Sequence, residues 1–255
     1  MKLFKRTSIF LSIFIVLIWV SLTIWAYYPL NNVRVTDAEK QQTRQLLRKN
    51  NITALDAVFD IRIKAVSTPQ VQYLTQNKKL FDEACKKGKL EKKDENTYAF
   101  DESELQISGS SVIITGKSDI IEKITSDTAL AKSKKLIEWL NLSKKNMSAY
   151  VYEKMDGILV TFIPEYKGRR IFDLKVSVMM YGQSEFKVEA IPFELKRSGE
   201  KRLPISTCSA LAELALSGTA NGEEIHDMIL GYKTDGKMLK PVWEIEAANN
   251  IYYMD

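Results

Sequence analysis

Histidine and cysteine are scarce in this sequence, which has one histidine and two cysteines among 255 residues. Catalysis through His226 would require an orienting carboxylate and a nucleophile nearby, and no such motif surrounds it. There is also no P-loop, no dinucleotide fingerprint and no G-x-S-x-G motif. These absences argue against common nucleotide-binding and hydrolytic classes. We predict a non-enzymatic protein with no catalytic residue and no cofactor.

Metal-ligating residues are equally sparse. Glu223, His226 and Asp227 are close in sequence, but a second histidine or a cysteine cluster is missing. We therefore interpret His226 as a surface or helix-end residue and predict no metal site.

The two cysteines, Cys85 and Cys208, lie far apart in the sequence and form no disulfide framework. An oxidising compartment would permit a bond between them. Each lies in an apolar helical stripe, where a buried cysteine behaves as a small hydrophobic residue. We favour core packing for both cysteines, and their pairing stays open.

Proline is also infrequent, with six residues against a hydrophobic content of 45%. This composition is typical of a folded chain and excludes a disordered stalk. Without the three basic residues of the first six positions, 34 basic and 32 acidic side chains remain. The main part of the chain is thus nearly neutral, which argues against nucleic-acid binding.

Charge is absent from Thr7 to Tyr28, a stretch of 22 residues. A helix of about 20 mostly apolar residues spans a bilayer, so residues 1–30 are predicted to be a cytoplasmic tip and a transmembrane anchor. The basic residues of the tip, Lys2, Lys5 and Arg6, favour the cytoplasmic side. Residues 29–255 are therefore expected to be extracytoplasmic, in a single-pass protein of the cell membrane.

A cleaved signal peptide and a buried core helix are the alternatives for this segment. The apolar run exceeds the core of about 7–15 residues found in signal peptides, and Ile24 fits poorly two residues before a cleavage site at Ala26. Trp25 and Tyr27 resemble an interfacial aromatic belt instead. A segment that is apolar on every face also argues against a soluble core helix.

Small and hydroxyl-bearing residues interrupt the anchor and are candidate contacts with another membrane helix: Ser8, Ser12, Ser21 and Thr23. Ser8 and Ser12 share one helical face. The alternative is that these hydroxyl groups bond back to their own helix, and no G-x-x-x-G motif is present.

Beyond the anchor, the pattern predicts two α+β units, residues 34–125 and 126–255, each with helices packed on a largely antiparallel sheet. The first unit opens with a capping box, Thr36 and Glu39, and has a second helix over 78–87. The second unit opens with a helix over 127–141. Its strands are expected at 147–153, 158–166, 170–181 and 185–195, followed by a helix from Ser206 to Leu216 and strands at 228–232, 241–246 and 251–253.

A dense group of charges lies at one predicted hairpin tip, where Glu165, Lys167, Arg169 and Arg170 surround Tyr166. Such a tip binds a partner or is simply a solvated turn. We favour the solvated turn.

Two parts of the sequence resemble the YycI family, whose members are relatives of YycH and regulate two-component systems in low-GC Gram-positive bacteria. The closest part runs from Gly231-Tyr232 to Leu239-Lys240-Pro241-Val242-Trp243, and this region also resembles the PepSY type of α+β module. The basic tip, the single span and the helix after Val35 are similar to the beginning of that family.

The resemblance implies a membrane-anchored accessory protein with no catalytic residues. Its expected partners are a sensor histidine kinase controlling cell-wall metabolism, contacted through transmembrane helices, and a YycH-like paralogue. One alternative is an extracytoplasmic PepSY-type binding module that inhibits a protease or serves cell-wall assembly. An anchored hydrolase is a further alternative, which the lack of a nucleophile and base argues against.

Overall fold

The fold is mixed α+β and dominated by sheet. The computed structural model describes residues 32–33, 35–76, 89–100, 102–117, 124–139, 146–181, 185–197 and 200–255, together with Ile18 and Cys85. Three α-helices lie in these residues, numbered here in chain order: α1 Asp37–Lys49, α2 Ser126–Trp139 and α3 Thr207–Ser217. Two 3-10 helices occupy Asp56–Phe59 and Leu74–Gln76. The predicted α+β class is confirmed.

The strands of the described residues are numbered in the same way: β1 Asn32–Val33, β2 Thr53–Ala54, β3 Ile63–Lys64, β4 Val66–Ser67, β5 Gln70–Tyr73, β6 Glu91–Lys92, β7 Thr97–Phe100, β8 Ser103–Ser108, β9 Ser111–Lys117, β10 Met147–Lys154, β11 Gly157–Tyr166, β12 Arg169–Arg170, β13 Val176–Tyr181, β14 Glu185–Ala190, β15 Phe193–Lys196, β16 Lys201–Arg202, β17 Glu224–Asp235, β18 Met238–Ala247 and β19 Ile251–Met254. In residues 126–255, strands β10, β11, β13, β14, β17, β18 and β19 overlap the strands that the alternating sequence predicts.

Across the ranges that the structure describes, no helix has both the length and the apolar character needed to cross a bilayer. The anchor segment 7–28 lies outside these ranges apart from Ile18, and the helix expected at 78–87 lies outside them apart from Cys85. Both therefore stay predictions.

Two compact units divide the chain. Unit 1 comprises Met1–Ser67, Glu200–Ile229 and Pro241–Asp255, and unit 2 comprises Thr68–Gly199 and Leu230–Lys240. This division differs from the expected boundary between residues 125 and 126, because strand β9 pairs with β14 along six residue pairs. The sequence pattern indicates where strands begin and end, but not this long-range pairing.

The helices of unit 1 begin where the sequence predicts. The Thr36 hydroxyl accepts from the Glu39 backbone N–H, and the Glu39 carboxylate accepts from the Thr36 backbone N–H at 2.7 Å, which completes the predicted capping box. Ser206 caps α3, and Gly218 ends it in the left-handed conformation with φ of 70°. Helices α1 and α3 pack together, which buries the apolar side of each.

Short strand pairs complete unit 1. Strand β1 pairs with β3, β4 pairs with β16, and β18 pairs with β19, all antiparallel. The start of β17 pairs with β2 in parallel. Trp243 in β18 is fully buried, and its indole N–H donates to the Ile205 carbonyl oxygen at 3.0 Å.

A nine-stranded sheet forms most of unit 2, with the order β10-β11-β13-β14-β9-β8-β7-β6 and with β12 added beside β11. Neighbouring strands of this sheet are antiparallel. Alternate residues of β11 are buried: Ile158, Val160, Phe162 and Pro164. Helix α2 packs against β10 and β11 and adds Ala129 and Ile137 to this core. Also in unit 2, β5 pairs with β15.

Both cysteines are free thiols. Cys208 is 5% exposed in α3, where burial raises the pKa of its thiol and a hydrogen bond with the Thr43 side chain opposes that change. Cys85 is half-buried and packs against the core of unit 2. The expectation of core packing is confirmed most clearly for Cys208.

Candidate functional site

The candidate membrane contacts Ser8, Ser12, Ser21 and Thr23 lie outside the described residues. Their role in binding another helix therefore stays a prediction from the sequence.

The acidic residues near His226 serve the structure of unit 1. Glu223 is 7% exposed, and its carboxylate accepts from the Asn249 backbone N–H at 3.2 Å and from the Asn250 side-chain amide at 2.5 Å. Chiefly through the Asn250 hydrogen bond, the pKa of Glu223 is lowered below its ordinary value. His226 is exposed on β17. Within the described ranges, no group of three or more histidine, cysteine, aspartate or glutamate side chains is arranged to hold a metal ion.

The basic hairpin tip noted in the sequence connects β11 to β12 in unit 2. Lys167 and Gly168 have φ angles of 51° and 73°, the left-handed values that a tight two-residue hairpin turn of type I′ requires. The turn places Tyr166 directly opposite Arg169 and Glu165 directly opposite Arg170. Because successive side chains of a strand point to opposite faces, the tip presents one arginine on each face.

Arg170 lies on the face that also carries Glu165. Its guanidinium carbon is 5.3 Å from the centre of the Tyr150 ring, within the range of a cation–π interaction. The Glu165 carboxylate accepts from the Ser148 hydroxyl at 2.6 Å. This face of the hairpin is thus held in place by neighbouring side chains of β10.

The other face carries Tyr166 and Arg169 and meets Tyr232 of β17. The rings of Tyr166 and Tyr232 are edge-on, with centroids 5.9 Å apart. Tyr232 has no exposed surface, and its hydroxyl has no hydrogen-bond partner. Burial raises the pKa of Tyr232 to about 12, and the positive charge of Arg169 opposes that shift. We name Tyr166, Arg169, Phe172 and Tyr232 the Tyr232 cluster.

The segment after β12 fixes β17 beside this hairpin. The Phe172 backbone N–H donates to the Tyr232 carbonyl oxygen at 2.9 Å, and Ile171 forms a parallel bridge with Tyr232. Asp173 accepts from the Thr234 backbone N–H at 2.8 Å and from the Thr234 hydroxyl. These contacts explain why the strand expected over 170–181 is interrupted and resumes only at Val176.

Gly231 allows the close approach. A Cβ atom at this position would lie 2.4 Å from two atoms of the Phe172 ring and 2.7 Å from the Arg170 carbonyl oxygen. Only glycine leaves room for this packing.

The sequence contained two signals for this site but did not connect them. The charges around Tyr166 and the Gly231-Tyr232 pair stand out separately, about 65 residues apart along the chain. The structure brings them together through the contacts of residues 171–173.

Comparison with known proteins gives no family assignment. No protein-family model matches the chain, and no curated protein matches it. An uncharacterized protein from Eubacterium rectale is similar at 12% identity and a TM-score of 0.47, over 89% of each chain. The Bacillus megaterium YpeB C-terminal domain is similar at 16% identity and a TM-score of 0.34, over 86% of this chain and 91% of that one. At these values neither similarity assigns a function.

Proposed function

We propose that this protein is a non-enzymatic accessory regulator of a sensor histidine kinase that controls cell-wall metabolism. Residues 7–28 would cross the membrane and contact helices of the kinase, and residues 29–255 would lie outside. The main support for this proposal is the uncharged stretch of 22 residues that follows the basic N-terminal tip. The resemblance to YycI-type regulators supports the same role.

The short link between anchor and folded unit also supports coupling. The predicted membrane span ends at Tyr28, and backbone pairing begins at Asn32, which lies opposite Lys64 of β3. Four residue steps span at most about 14 Å when fully extended. Unit 1 would therefore be held near the membrane surface. The short linker would transmit a movement of the anchor helix to unit 1.

Regulation of this kind requires a contact that differs between the kinase's states. An accessory helix shifts an equilibrium only by its differential affinity for the two states. Ser8, Ser12, Ser21 and Thr23 are the proposed contact residues, because small and hydroxyl side chains let membrane helices approach and hydrogen-bond.

An anchor exchange tests the membrane contact. Replacing residues 7–28 with an unrelated span of equal length should abolish regulation of a wall-regulon reporter while the protein stays in the membrane. A second variant keeps the native span and changes only the four proposed contact residues, Ser8, Ser12, Ser21 and Thr23, to alanine. We expect this variant to weaken regulation. Full regulation with the exchanged span would contradict the membrane contact and favour an external binding module, including the PepSY-type alternative. A native strain and a deletion strain with identical reporter output would exclude the regulator itself.

A linker insertion tests the short connection. Adding eight Gly/Ser residues between Tyr28 and Asn32 should uncouple unit 1 from the anchor and reduce regulation. The same insertion at the exposed turn of Gly109 and Ser110 is the control, because that turn accepts extra residues without disturbing β8 or β9. Equal regulation by both insertion variants would show that the length of the link is unimportant.

A further inference from the structure

We propose that the edge of strand β5 binds an extended, acidic peptide segment of a partner protein, which adds a strand to the sheet of unit 2. The proposal does not depend on the kinase role. It stands on the backbone hydrogen bonds of β5 and on a cavity beside residues 71–73, which we name the β5 edge.

One side of β5 is fully paired. Strand β15 lies antiparallel to all four residues of β5, and the Leu74 backbone N–H donates to the Pro192 carbonyl oxygen at 2.9 Å on the same side. The backbone groups of successive strand residues point to alternate sides of the strand. Gln72, like Leu74, therefore bonds towards β15, whereas Val71 and Tyr73 present their backbone groups to the other side.

The other side of β5 is paired only where the strand begins. Strand β18 pairs with Gln70 alone, and the Val71 backbone N–H donates to the Lys237 carbonyl oxygen at 2.7 Å. Among the described residues, the Val71 carbonyl oxygen and both backbone groups of Tyr73 have no hydrogen-bond partner on this side. A strand edge with unpaired donors and acceptors is a template for another extended chain.

A cavity beside the β5 edge gives such a chain room. Its volume is about 580 Å³, within the range of about 300–1,000 Å³ found for ligand pockets. Gln70–Tyr73 line one part of it, and Lys196, Gly236 and Lys237 line another. All of these residues belong to unit 2. The unpaired backbone groups therefore lie beside open space.

Two lysines give this cavity a positive charge. Lys196 and Lys237 are exposed, and neither forms an ion pair with a described carboxylate. No acidic side chain is among the described residues that line the cavity. Of the nearby carboxylates, Glu194 lies outside the lining, and Asp235 forms an ion pair with Lys240. The cavity therefore complements a negatively charged ligand.

The two faces of β5 select the side-chain pattern of the ligand. Gln70 and Gln72 share one face, which also carries Lys196 opposite Gln70. The other face carries Val71, which is buried, and Tyr73, which is half-buried. A peptide added to the edge places its alternate side chains on the same two faces. An extended segment in which acidic residues alternate with apolar ones matches both.

Fluorescence anisotropy with designed peptides tests the proposal. The probe is a fluorescein-labelled heptapeptide that alternates glutamate with valine, and the protein is the full chain in detergent. We expect saturable binding that weakens as the ionic strength rises, because salt screens exposed charges. The matched peptide with lysine in place of glutamate should not bind. Equal binding of the two peptides, or no binding of the acidic one, would overturn the proposal.

Backbone N-methylation tests whether the peptide pairs as a strand. Two further peptides carry N-methyl groups on the glutamates or on the valines, so each loses hydrogen-bond donors along one edge only. We expect one of them to bind at least about tenfold more weakly than the unmodified peptide and the other to bind nearly as well. Equal affinity of the two methylated peptides would rule out strand addition.

Protein variants locate the site. The double variant Lys196→Gln and Lys237→Gln should lower peptide affinity by about tenfold. The matched control, Lys64→Gln with Lys201→Gln, removes two exposed lysines elsewhere and should bind like the native protein. Tyr73→Pro removes the unpaired N–H and should bind more weakly than Tyr73→Ala, which keeps it. Equal binding by the two double variants would place the peptide elsewhere and contradict the proposal.

Hydrogen–deuterium exchange keeps the test decisive if Tyr73→Pro fails to fold. In the native protein, the acidic peptide should slow amide exchange within residues 70–76, whereas the lysine peptide should leave it unchanged. Slow exchange at Tyr73 without any peptide would show that another part of this chain, or a second copy, already occupies the β5 edge, and the proposal would then be wrong.

Discussion

At the scale of single residues, Gly231 and Tyr232 show how one local pair serves two purposes. Gly231 has no side chain and so allows the Phe172 ring and the Arg170 carbonyl oxygen to approach β17. Tyr232 fills the space beside Tyr166 and remains completely buried. The packing around Gly231 and Tyr232 gives a physical reason for this pair of residues.

Replacing Gly231 should therefore destabilise the folded protein. We expect Gly231→Ala to lower the free energy of unfolding by about 1–3 kcal/mol, because the added methyl group overpacks a closed site. Urea unfolding monitored by circular dichroism measures the change. Gly168→Ala is the control for adding a methyl group in open space, where only the left-handed φ of 73° opposes it. A larger loss for Gly168→Ala than for Gly231→Ala would contradict the packing explanation.

At the scale of elements, helix caps and one group of side-chain hydrogen bonds fix where helices and strands end. We call the hydrogen bonds of the Glu223 carboxylate with Asn249 and Asn250 the Glu223 clasp. Helix α1 begins with a capping box, and α3 begins with the Ser206 cap, as the local sequence patterns indicate. Strand β19 is held differently, since the loop before it binds the carboxylate of Glu223, about 26 residues earlier in the chain. Local patterns predicted the two caps, whereas the clasp depends on tertiary structure.

The capping box of α1 gives a prediction that depends on pH. Thr36→Ala should lower the free energy of unfolding by about 1 kcal/mol at neutral pH, while Thr36→Ser should retain most of it. The Thr36 backbone N–H and hydroxyl bind the Glu39 carboxylate and lower its pKa from the ordinary value of 4.5. A carboxylate whose pKa is lower in the folded state stabilises the fold at pH values above its ordinary pKa. This stabilisation is lost as the pH falls through the pKa of the folded state.

The difference between the native protein and Thr36→Ala should therefore shrink below pH 4.5. Urea unfolding at a series of pH values measures it. A difference that is constant from neutral to acidic pH would show that the hydrogen bond from the Thr36 hydroxyl to the Glu39 carboxylate does not contribute to it.

The Glu223 clasp gives a second prediction at this scale. Glu223→Gln should weaken the hydrogen bonds to Asn249 and Asn250 and increase amide exchange in residues 249–254. Hydrogen–deuterium exchange with mass spectrometry measures this, and Glu224→Gln at the exposed neighbouring position is the control. The pKa of Glu223 is lowered, so acid should release the clasp in the native protein and leave Glu223→Gln unaffected. Equal exchange in both variants would contradict the clasp.

At the scale of the whole molecule, the sequence predicted elements better than their assembly. Alternating patterns located β10, β11 and β14, because apolar residues alternate with polar ones where one face of a strand is buried. The pairing of β9 with β14 has no signal in the local sequence of either strand. The expected boundary at residue 125 therefore separated strands of one sheet. The Tyr232 cluster was missed for the same reason, since it forms only when distant segments meet.

The shared sheet predicts that fragment 126–255 does not fold alone. It lacks β9, so β14 would lose one of its two neighbouring strands, and the core would lose Tyr98, Phe100, Leu105, Val112 and Ile114. We expect no cooperative thermal transition by circular dichroism, whereas fragment 35–255 should show one. A cooperative transition in fragment 126–255 would establish that the expected boundary marks an independent domain.

The three-part make-up of unit 1 has a consequence for biosynthesis. Asn51 hydrogen-bonds to Asn221, a residue made 170 positions later, and Leu47 in α1 is buried in a unit to which α3 belongs. At about 5–20 residues per second, translation separates these partners by roughly 10–30 seconds. During this interval the apolar side of α1 is without its final cover and is open to chaperones and proteases. The yield of this protein in cells therefore depends on how well the early segment survives that wait, as well as on the stability of the finished fold.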